Sequence, residues 1–493
     1  MKAWKKRLFC TLRVLLWGFL LVFVLRVTAN VLCVSSENEL NRAGEGLYRQ
    51  RPGSIDVVYV GPSHVYSSII PQLIYDEYGI TGYNFSTAAQ SLANTYWGLR
   101  EAIRLQNPKV AVVELICATA DPAERQAPLY YSGMARMLSP FSPYKTLAVP
   151  DLLRREAESF EVATIKDAGA AGKMSWLDFW RLTSFHTQYG DLSARSFKDI
   201  WGPRRYAESW GYAPRYEKVE PEQPKEQELT ELNRDLSAET LELLEKMKHA
   251  AEKSGTKLVF MVAPYPTNSR EDRLYGQLHQ WAEENGIDLL DFNQMPQLGI
   301  DYTTDYWDNT HLNYWGAQKV SRAMGHYLNE TGLFEDHRQE KGFARWNQRA
   351  GNYALWHQVE TLSLTAPAAQ WADTLAALNS DYLALMAGTA DETLADELNR
   401  AGFAVQAGQP FCALFDGKQW TLAQQEEMAA SVDGHRLALR CTKDGGGGLT
   451  VGDTTVQGAP GVTVQIVNRL TDWPMPPVLL QGSRAQPLEI EEQ

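Results

Sequence analysis

The chain has 493 residues, of which 44% are apolar, so it is long enough for about three domains and apolar enough to bury a core. It carries 47 Lys and Arg residues against 60 Asp and Glu residues, a net charge of −13, and its five cysteines include no Cys-x-x-Cys pair. This charge balance argues against a nucleic-acid partner, because phosphate binding needs a concentrated cationic surface, and the cysteine count excludes a disulfide scaffold or a Cys-rich metal site.

Residues 1–34 are typical of a membrane anchor. An apolar run over residues 8–25, continued to residue 34, is preceded by a cluster of four cations: Lys2, Lys5, Lys6 and Arg7. The positive-inside tendency then leaves the basic end in the cytoplasm and the chain after about Ser35 outside the cell. A cleaved signal peptide is the alternative, but no A-x-A site follows the apolar run. We therefore expect a single-pass protein of the cell membrane with extracellular domains.

From residue 55 onward, short apolar runs alternate with amphipathic stretches. The pattern predicts strands over residues 55–60, 81–85, 110–116, 257–262 and 287–290, and helices over 92–105, 237–254, 271–284 and 314–328. Alternating strands and helices predict a parallel sheet with helices on both faces. Residues 120–236, rich in Pro, Tyr, Trp and charge, interrupt the alternation, and we interpret them as an insertion that covers a site on the sheet.

The composition changes again near residue 341. Ala-rich stretches over residues 366–378 and 391–402 predict helices, and short strands with glycine turns surround them. The chain therefore divides into an anchor (1–34), an α/β domain (35–340) and a C-terminal α+β accessory domain (341–493). Whether Cys412 and Cys441 form a disulfide stays open, because separation in sequence does not determine their distance.

Ser63, Asp308 and His311 are the residues best suited to carry chemistry. Ser63 follows the first strand in the sequence Gly-Pro-Ser-His, at the carboxyl edge of the sheet, where open α/β sheets bind ligands. Asp308 and His311 are three residues apart on one turn, just before the helix predicted over residues 314–328. A carboxylate so placed can hold an imidazole in one tautomer while its other nitrogen takes the proton of a serine nucleophile. The three residues predict a catalytic triad.

Acyl transfer also needs donors for the oxyanion that forms on the attacked carbonyl. The candidates are the backbone N–H of Ser63 and the side chains of Asn84 and Gln90, which follow the second strand. Each has a structural alternative: Ser63 as a helix cap, and the two amides as partners of nearby backbone. His64 is interpreted as a substrate contact or a structural residue, because sequence neighbours after a strand point apart.

A metal site is the other use of an Asp-x-x-His pair. The sequence contains no His-Glu-x-x-His motif, and its nine histidines are dispersed. We therefore expect neither a metal nor a cofactor.

The stretches VVYVGPSHVYSSII (57–70), YNFSTAAQ (83–90) and PKVAVVE (108–114), followed by Asp308-x-x-His311, resemble the SGNH-hydrolase superfamily over about residues 50–335. Within it, the chain is most similar to the membrane-anchored extracytoplasmic branch that includes the D-alanyl-lipoteichoic-acid and alginate O-acetylation proteins. The sequence departs from the family pattern in two places. Gly-Pro-Ser stands where Gly-Asp-Ser is common, and no Gly-x-Asn-Asp block is evident.

The resemblance implies a flavodoxin-like three-layer sandwich around a parallel sheet. It also implies roles for individual residues: Ser63 as nucleophile, Asp308 and His311 as the rest of the triad, Gly61 at the strand end, and Asn84 or Gln90 near the oxyanion. A shorter stretch, residues 380–417, is similar to the interleukin-like EMT-inducer domain, which is associated with carbohydrate recognition in some settings. That similarity implies that the C-terminal domain binds glycan or a partner.

The function implied is extracytoplasmic transfer of an acyl group, most simply acetyl, through a Ser63 acyl-enzyme onto a hydroxyl of a cell-surface polysaccharide. Members of this branch work beside a multi-pass membrane O-acyltransferase, so such a partner is implied. Two alternatives remain: an esterase or deacetylase using the same triad with water, and a non-catalytic polysaccharide-binding scaffold for a membrane acyltransferase. The insertion contains aromatic residues that either stack on sugar faces or belong to the core, namely Trp176, Trp180, Trp201 and Trp210.

Overall fold

The computed structural model describes residues 2–32, 44–120, 129–139, 141–162, 209–227, 229, 233–432, 435–452, 454–469 and 473–488. The chain divides into two compact units, Met1–Phe343 and Ala344–Gln493. The boundary lies close to the junction predicted between residues 340 and 341. The first unit contains a parallel sheet, and the second contains antiparallel sheets.

The parallel sheet forms the centre of the first unit. Its five strands within the described ranges are β1 (Val57–Gly61), β2 (Gly82–Ser86), β3 (Val110–Glu114), β4 (Lys257–Val262) and β5 (Asp288–Asp291). They lie in the order β2-β1-β3-β4-β5, and all neighbouring strands are parallel. This is the flavodoxin-like order. The prediction of a mixed α/β unit with a parallel sheet is confirmed.

The helices that the structure describes in the first unit are numbered in chain order. They are α1 (Lys2–Leu32), α2 (Ser63–Ser68), α3 (Pro71–Tyr78), α4 (Leu92–Gln106), α5 (Leu129–Met137), α6 (Pro143–Val162), α7 (Ala238–Ser254), α8 (Ser269–Glu284) and α9 (Tyr314–Glu330), with short 3-10 helices at Gly44–Arg49, Ile116–Ala118, Phe292–Gln294, Pro296–Leu298, His337–Gln339 and Lys341–Phe343. α9 packs against α2 and α3, whereas α4 packs against α5, α6 and α7. The crossovers from β1 to β2 and from β2 to β3 run in opposite directions, so right-handed connections put α3 and α4 on opposite faces.

Capping side chains explain where the helices begin. Ser237 accepts a hydrogen bond from the backbone N–H of Thr240 at the start of α7. Asn268 and Glu271 form a capping box at the start of α8. Both helices begin close to their predicted positions, because these signals are local in sequence.

The N-terminal helix α1 exposes the apolar side chains that are described in it, from Phe9 to Val24. In the part of the chain that the structure describes, no helix combines the length and apolar character that a bilayer crossing requires. The transmembrane anchor predicted over residues 1–34 is therefore not supported, and residues 33–43 lie outside the described residues.

The second unit combines three helices with two antiparallel sheets in its described residues. The elements are α10 (Ala344–Glu360), α11 (Ala368–Ala376), β6 (Tyr382–Thr389), α12 (Glu392–Arg400), β7 (Pro410–Phe415), β8 (Trp420–Ala423), β9 (Glu427–Val432), β10 (His435–Cys441), β11 (Gly446–Val451), β12 (Thr454–Pro460), β13 (Val462–Asn468), β14 (Trp473–Pro474), β15 (Val478–Gln481) and β16 (Arg484–Pro487). One sheet has the order β16-β15-β13-β6-β7-β8, with β14 paired to β13, and the other has the order β12-β11-β10-β9. The element content matches the predicted α+β domain.

The larger sheet of the second unit has a core on each face. One core includes residues of α10, α11 and α12, among them Trp371, and the other includes residues of the smaller sheet such as Leu439 and Leu449. Cys412 and Cys441 are buried in the second core as free thiols, and Cys441 Sγ lies 3.2 Å from the carbonyl oxygen of Phe411 and 3.5 Å from that of Gly388. The structure therefore contains no disulfide between these two residues.

Gly61, the last residue of β1, has no room for a side chain. A Cβ built there would lie 2.8 Å from Glu114 Cβ and 2.8 Å from Val65 Cγ2. We expect Gly61→Ala to lower the free energy of unfolding by about 1–3 kcal/mol, because both neighbours are buried and must shift. Thermal unfolding of the full chain measures this loss.

Gly276→Ala is the matched control, because an added Cβ at this position in α8 meets no atom within 4 Å. It should be neutral or stabilise by up to about 1 kcal/mol through helix propensity. If the two substitutions had equal effects, the close packing at Gly61 would not be important for stability.

Candidate active site

Ser63 is the first residue of α2 and follows the strand β1 almost directly. Pro62, in an extended conformation, occupies the N-cap position between the strand and the helix. The Ser63 side chain is half-buried, unlike the buried residues that follow it. Because β1 is a central strand, this turn presents the Ser63 hydroxyl at the carboxyl edge of the sheet.

Asp308 and His311 lie on a turn that is closed by local hydrogen bonds. Tyr306 and Leu312 form a β-bridge across the turn. The Asp308 carboxylate accepts hydrogen bonds from the backbone N–H groups of Thr310 and His311, each at 2.8 Å. These bonds orient the carboxylate toward the imidazole of His311. The turn thus has the geometry that the Asp-x-x-His spacing predicts.

The structure brings Ser63, His311 and Asp308 together in a continuous hydrogen-bonded series. His311 Nε2 lies 2.6 Å from Ser63 Oγ, and the two residues are 248 positions apart in the chain. His311 Nδ1 lies 2.8 Å from Asp308 Oδ2 and 3.0 Å from Oδ1. In this arrangement the carboxylate orients the imidazole, and the imidazole can take the proton of the hydroxyl.

The electrostatics of the site favour an ionised Asp308. Burial opposes ionisation, but the hydrogen bond from His311 and those from two backbone N–H groups outweigh it and lower the pKa of Asp308 to about 2. A carboxylate that is ionised at neutral pH accepts the hydrogen of His311 Nδ1, which leaves Nε2 as the acceptor facing Ser63.

One ring of the site stacks on His311, and a cation lies over that ring in turn. The Trp307 indole stacks on the imidazole, with ring centroids 5.3 Å apart and an interplanar angle of 25°. The guanidinium carbon of Arg215 lies 5.2 Å from the centroid of the Trp307 ring. Trp307 therefore limits rotation of the His311 imidazole, and Arg215 places a positive charge beside the Trp307 ring.

A segment of the predicted insertion, residues 209–222, joins the two halves of the site, and we call it the strap. Its backbone contacts with the rest of the unit are the following: Asn84 N–H to Trp210 O (2.9 Å), Ala213 N–H to Tyr66 O (2.9 Å), Tyr314 N–H to Arg215 O (2.8 Å) and Val219 N–H to Tyr306 O (2.9 Å). The first two contacts lie on β2 and α2, and the last two lie at the turn that carries Asp308 and His311. The sequence predicted an insertion near a site but not this connection, which is made by backbone atoms.

Asn313 secures the same region from a buried position. Its side-chain oxygen accepts from the backbone N–H groups of Trp315 and Gly316 at the start of α9. Its amide nitrogen donates to three carbonyl groups, those of Thr304 (2.8 Å), Glu217 (2.9 Å) and Tyr306 (3.2 Å). One amide therefore links α9, the strap and the turn. Sequence reasoning missed this residue, although Asn directly before a helix is an N-cap signal.

The predicted oxyanion side chains are used elsewhere in the fold. The Asn84 amide nitrogen donates to the carbonyl groups of Ile69 (2.8 Å) and Val65 (3.4 Å). Gln90 accepts from the Thr87 hydroxyl (2.8 Å) and donates to Thr95 Oγ1 (2.9 Å). Both residues are fully buried. We therefore do not assign them to the oxyanion. The backbone alternative noted above describes the contacts of Asn84, whereas Gln90 binds the hydroxyl groups of Thr87 and Thr95.

The backbone N–H of Ser63 remains as an oxyanion donor candidate. It lies in the first turn of α2, where N–H groups have no acceptor within the helix.

His64 is buried and faces both the site and the sheet. Its ring lies 5.0 Å from the His311 ring and 5.3 Å from that of Tyr265, edge-on to each. Its Nδ1 lies 3.7 Å from Oε1 of Glu114, the last residue of β3. Sequence reasoning did not assign Glu114 a role. The available signal was a carboxylate at the end of an otherwise apolar, buried strand.

The aromatic residues proposed as sugar platforms are not available as such where they are described. Trp210 is 1% exposed, and its indole nitrogen donates to Gln72 Oε1 at 2.7 Å. It belongs to the core, which is the alternative noted above. Trp176, Trp180 and Trp201 lie outside the described residues. Among the described residues, no cluster of three or more His, Cys, Asp or Glu side chains is arranged to hold a metal ion.

Comparison with known proteins identifies no family model that matches the chain and no matching curated protein. Among solved structures, the chain is similar to a crystal structure from Bacteroides fragilis NCTC 9343 that is described provisionally as an acylhydrolase. The two share 12% sequence identity with a TM-score of 0.30, over 61% of this chain and 100% of the other. A likeness this weak does not establish an activity for this chain.

Asn313→Ala should destabilise the first unit by about 2–3 kcal/mol, because it removes a helix cap and the side-chain donor to the carbonyl groups of Thr304 and Glu217. Thermal unfolding of the full chain measures the change. Asn329→Ala, at an exposed position near the end of α9, is the matched control and should change stability by less than about 0.5 kcal/mol. Equal effects of the two substitutions would contradict the linking role of Asn313.

Proposed function

We propose that the first unit is a serine-dependent acyl-transfer enzyme of the SGNH-hydrolase type, with Ser63 as the nucleophile. The observation that carries this proposal is the series Ser63–His311–Asp308, with contacts of 2.6 Å and 2.8 Å. The position of Ser63 at the carboxyl edge of a flavodoxin-like sheet adds support, because ligands bind at that edge.

The first half of the reaction forms an acyl-enzyme. His311 Nε2 takes the proton of Ser63 as Oγ bonds to the carbonyl carbon of an acyl ester, and the carbonyl π electrons move onto its oxygen. Asp308 stabilises the imidazolium that results. The tetrahedral intermediate then collapses: the bond to the leaving alcohol breaks, and that alcohol takes the proton from His311. The acyl group remains on Ser63.

The second half repeats these steps with an acceptor hydroxyl. The acceptor gives its proton to His311 and attacks the acyl carbon, and the Ser63 oxygen leaves with that proton. We propose that the acceptor is a hydroxyl of a cell-surface polysaccharide and that the acyl group is acetyl. Support for this choice comes from the resemblance of the sequence to the O-acetylation branch. Water in place of the sugar would make the same site an esterase or deacetylase.

The same resemblance supports a location and a partner. We propose that residues 1–34 attach the protein to the cell membrane, and the exposed apolar side chains of α1 are consistent with burial in lipid. The two units then lie outside the cell, where a multi-pass membrane O-acyltransferase supplies acyl groups to Ser63.

Ser63→Ala tests the nucleophile directly. A fluorophosphonate probe should label the wild-type chain once and leave the variant unlabelled, as measured by intact mass spectrometry. Ser269→Ala, at an exposed serine at the start of α8, is the control and should label like the wild type. Equal labelling of the wild type and Ser63→Ala would contradict the proposal that Ser63 is the nucleophile of an enzyme. Full polysaccharide acylation by Ser63→Ala would favour the non-catalytic scaffold instead.

Partition of the acyl-enzyme separates the transferase from the esterase. With p-nitrophenyl acetate as donor, we expect added acetyl-accepting polysaccharide to lower free acetate and to yield acetylated polymer, both measured by NMR. Ser63→Ala should form neither product above the background rate. Acetate release that does not depend on the polysaccharide would favour the esterase.

A further inference from the structure

Behind the triad, two buried polar groups face each other without a hydrogen bond. Glu114 Oε2 accepts from the backbone N–H of Ile116 at 3.1 Å, but Oε1 has no partner in the described structure. His64 Nδ1, 3.7 Å away, also has none. The two side chains are 0% and 3% exposed, so water does not readily serve them. Buried polar atoms without partners are rare, and a pair of them beside a candidate nucleophile calls for an explanation.

A single proton between Glu114 Oε1 and His64 Nδ1 gives each of these atoms a hydrogen-bond partner. Burial raises the pKa of Glu114 to about 8, even though hydrogen bonds from backbone N–H groups partly offset this effect. Burial and the neighbouring His311 lower the pKa of His64 well below its usual value. At neutral pH the pair is therefore a carboxylic acid facing a neutral imidazole. A movement of about 1 Å brings the two atoms within hydrogen-bond range, and such contacts often tighten when substrate binds.

The state of His64 matters because of its position. Its ring centroid is 5.0 Å from that of His311, which becomes positively charged when Ser63 attacks the acyl group. A second positive charge on His64 would oppose that step. A neutral imidazole beside the nucleophile avoids this repulsion, and its N–H group can donate a hydrogen bond to a substrate oxygen.

We infer that Glu114 is a positioning residue for acyl transfer: its protonated carboxyl group donates to His64 Nδ1 and keeps the hydrogen of this neutral ring on Nε2, as a donor for the acyl substrate. The inference rests on the proposed function of Ser63. It assigns to His64 the substrate contact that the sequence suggested and adds the group that determines its tautomer.

The groups packed around the pair are consistent with this assignment. Tyr265, from the loop after β4, donates to Glu271 Oε1 (3.0 Å) and shares a hydrogen bond with Tyr275 of α8 (2.8 Å). Burial raises the pKa of both tyrosines well above the usual value, so they stay neutral. Among the described residues, Asp308 and His311 act on the charge of His64, and Glu271 acts on the two tyrosines.

Loss of the Glu114 proton should change the tautomer of His64. A buried carboxylate needs a donor, so the hydrogen of His64 would move to Nδ1 and Nε2 would become an acceptor. The donor toward the substrate is then lost. We therefore expect kcat of the wild type to fall at alkaline pH, with a midpoint at about pH 8.

Two substitutions at Glu114 test this expectation through the pH profile of kcat with p-nitrophenyl acetate. In Glu114→Gln the amide N–H replaces the acidic O–H but does not titrate, so kcat at neutral pH should stay within about 3-fold and the alkaline decline should disappear. In Glu114→Leu the donor is missing, so kcat should fall about 10-fold or more with little change in KM. Glu335→Gln, at an exposed position, should match the wild type.

An unchanged alkaline decline in Glu114→Gln, or a wild-type profile in Glu114→Leu, would overturn the inference. A second measurement keeps this test separate from the proposed function, because it needs no turnover. Glu114 is protonated in the folded chain up to about pH 8, whereas its ordinary pKa is 4.5. The folded state thus holds a proton that the unfolded state releases, and wild-type stability should fall as pH rises through this window.

Glu114→Gln lacks this titrating proton. The melting temperature of the variant minus that of the wild type should therefore increase as the pH is raised from 5 to 8, and it should be smaller at pH 4. A constant difference would contradict protonation of Glu114. If the expected stability change occurred in a chain whose Ser63 does not react with the fluorophosphonate probe, the proposed function would fail while the protonated pair remained. If Ser63 reacted and the stability difference were constant, only the role of Glu114 would fail.

Discussion

The hydrogen bond between His311 Nε2 and Ser63 Oγ is the interaction on which the chemistry that we propose for this protein depends. It joins residues 248 positions apart, so it exists only if the sheet, the turn before α9 and the strap are all in place. The position of Ser63 follows from β1 and α2, and that of His311 follows from local bonds with Asp308. Backbone contacts of the strap and the amide of Asn313 connect these two halves. The site is thus held by buried polar contacts, whose loss costs more than that of exposed ones.

The buried polar groups near Ser63 and His311 differ in whether their hydrogen bonds are complete. Asn313 uses both ends of its amide and gains stability from every contact, as a structural residue should. Glu114 and His64 leave two buried atoms without partners, which destabilises the folded chain unless a proton lies between them. Proteins tolerate such incomplete arrangements mainly where function requires them. This contrast distinguishes Asn313, which stabilises the site, from Glu114, which we propose determines the tautomer of His64.

Sequence patterns predicted the local features well and the side-chain assignments unevenly. The strands and the starts of α7 and α8 were predicted closely because hydrophobic periodicity and helix-start signals act over a few residues. Asn84 and Gln90 were chosen for their chemistry near the second strand, but their amides bind neighbouring backbone and hydroxyl groups. Trp210 was a candidate sugar platform and is a core residue. In each case the residue type suited both roles, and only its surroundings distinguish them.

The sequence by itself determined the parallel α/β character of the first unit, the turn that orients Asp308 toward His311 and the placement of Ser63 after a buried strand. Each of these depends on interactions between residues close in the chain. Only the tertiary structure decided that His311 reaches Ser63, that the strap joins the two, and that Glu114 faces His64. Those contacts depend on which strands become neighbours, and the strand order is set by packing of the whole sheet, which no local pattern encodes.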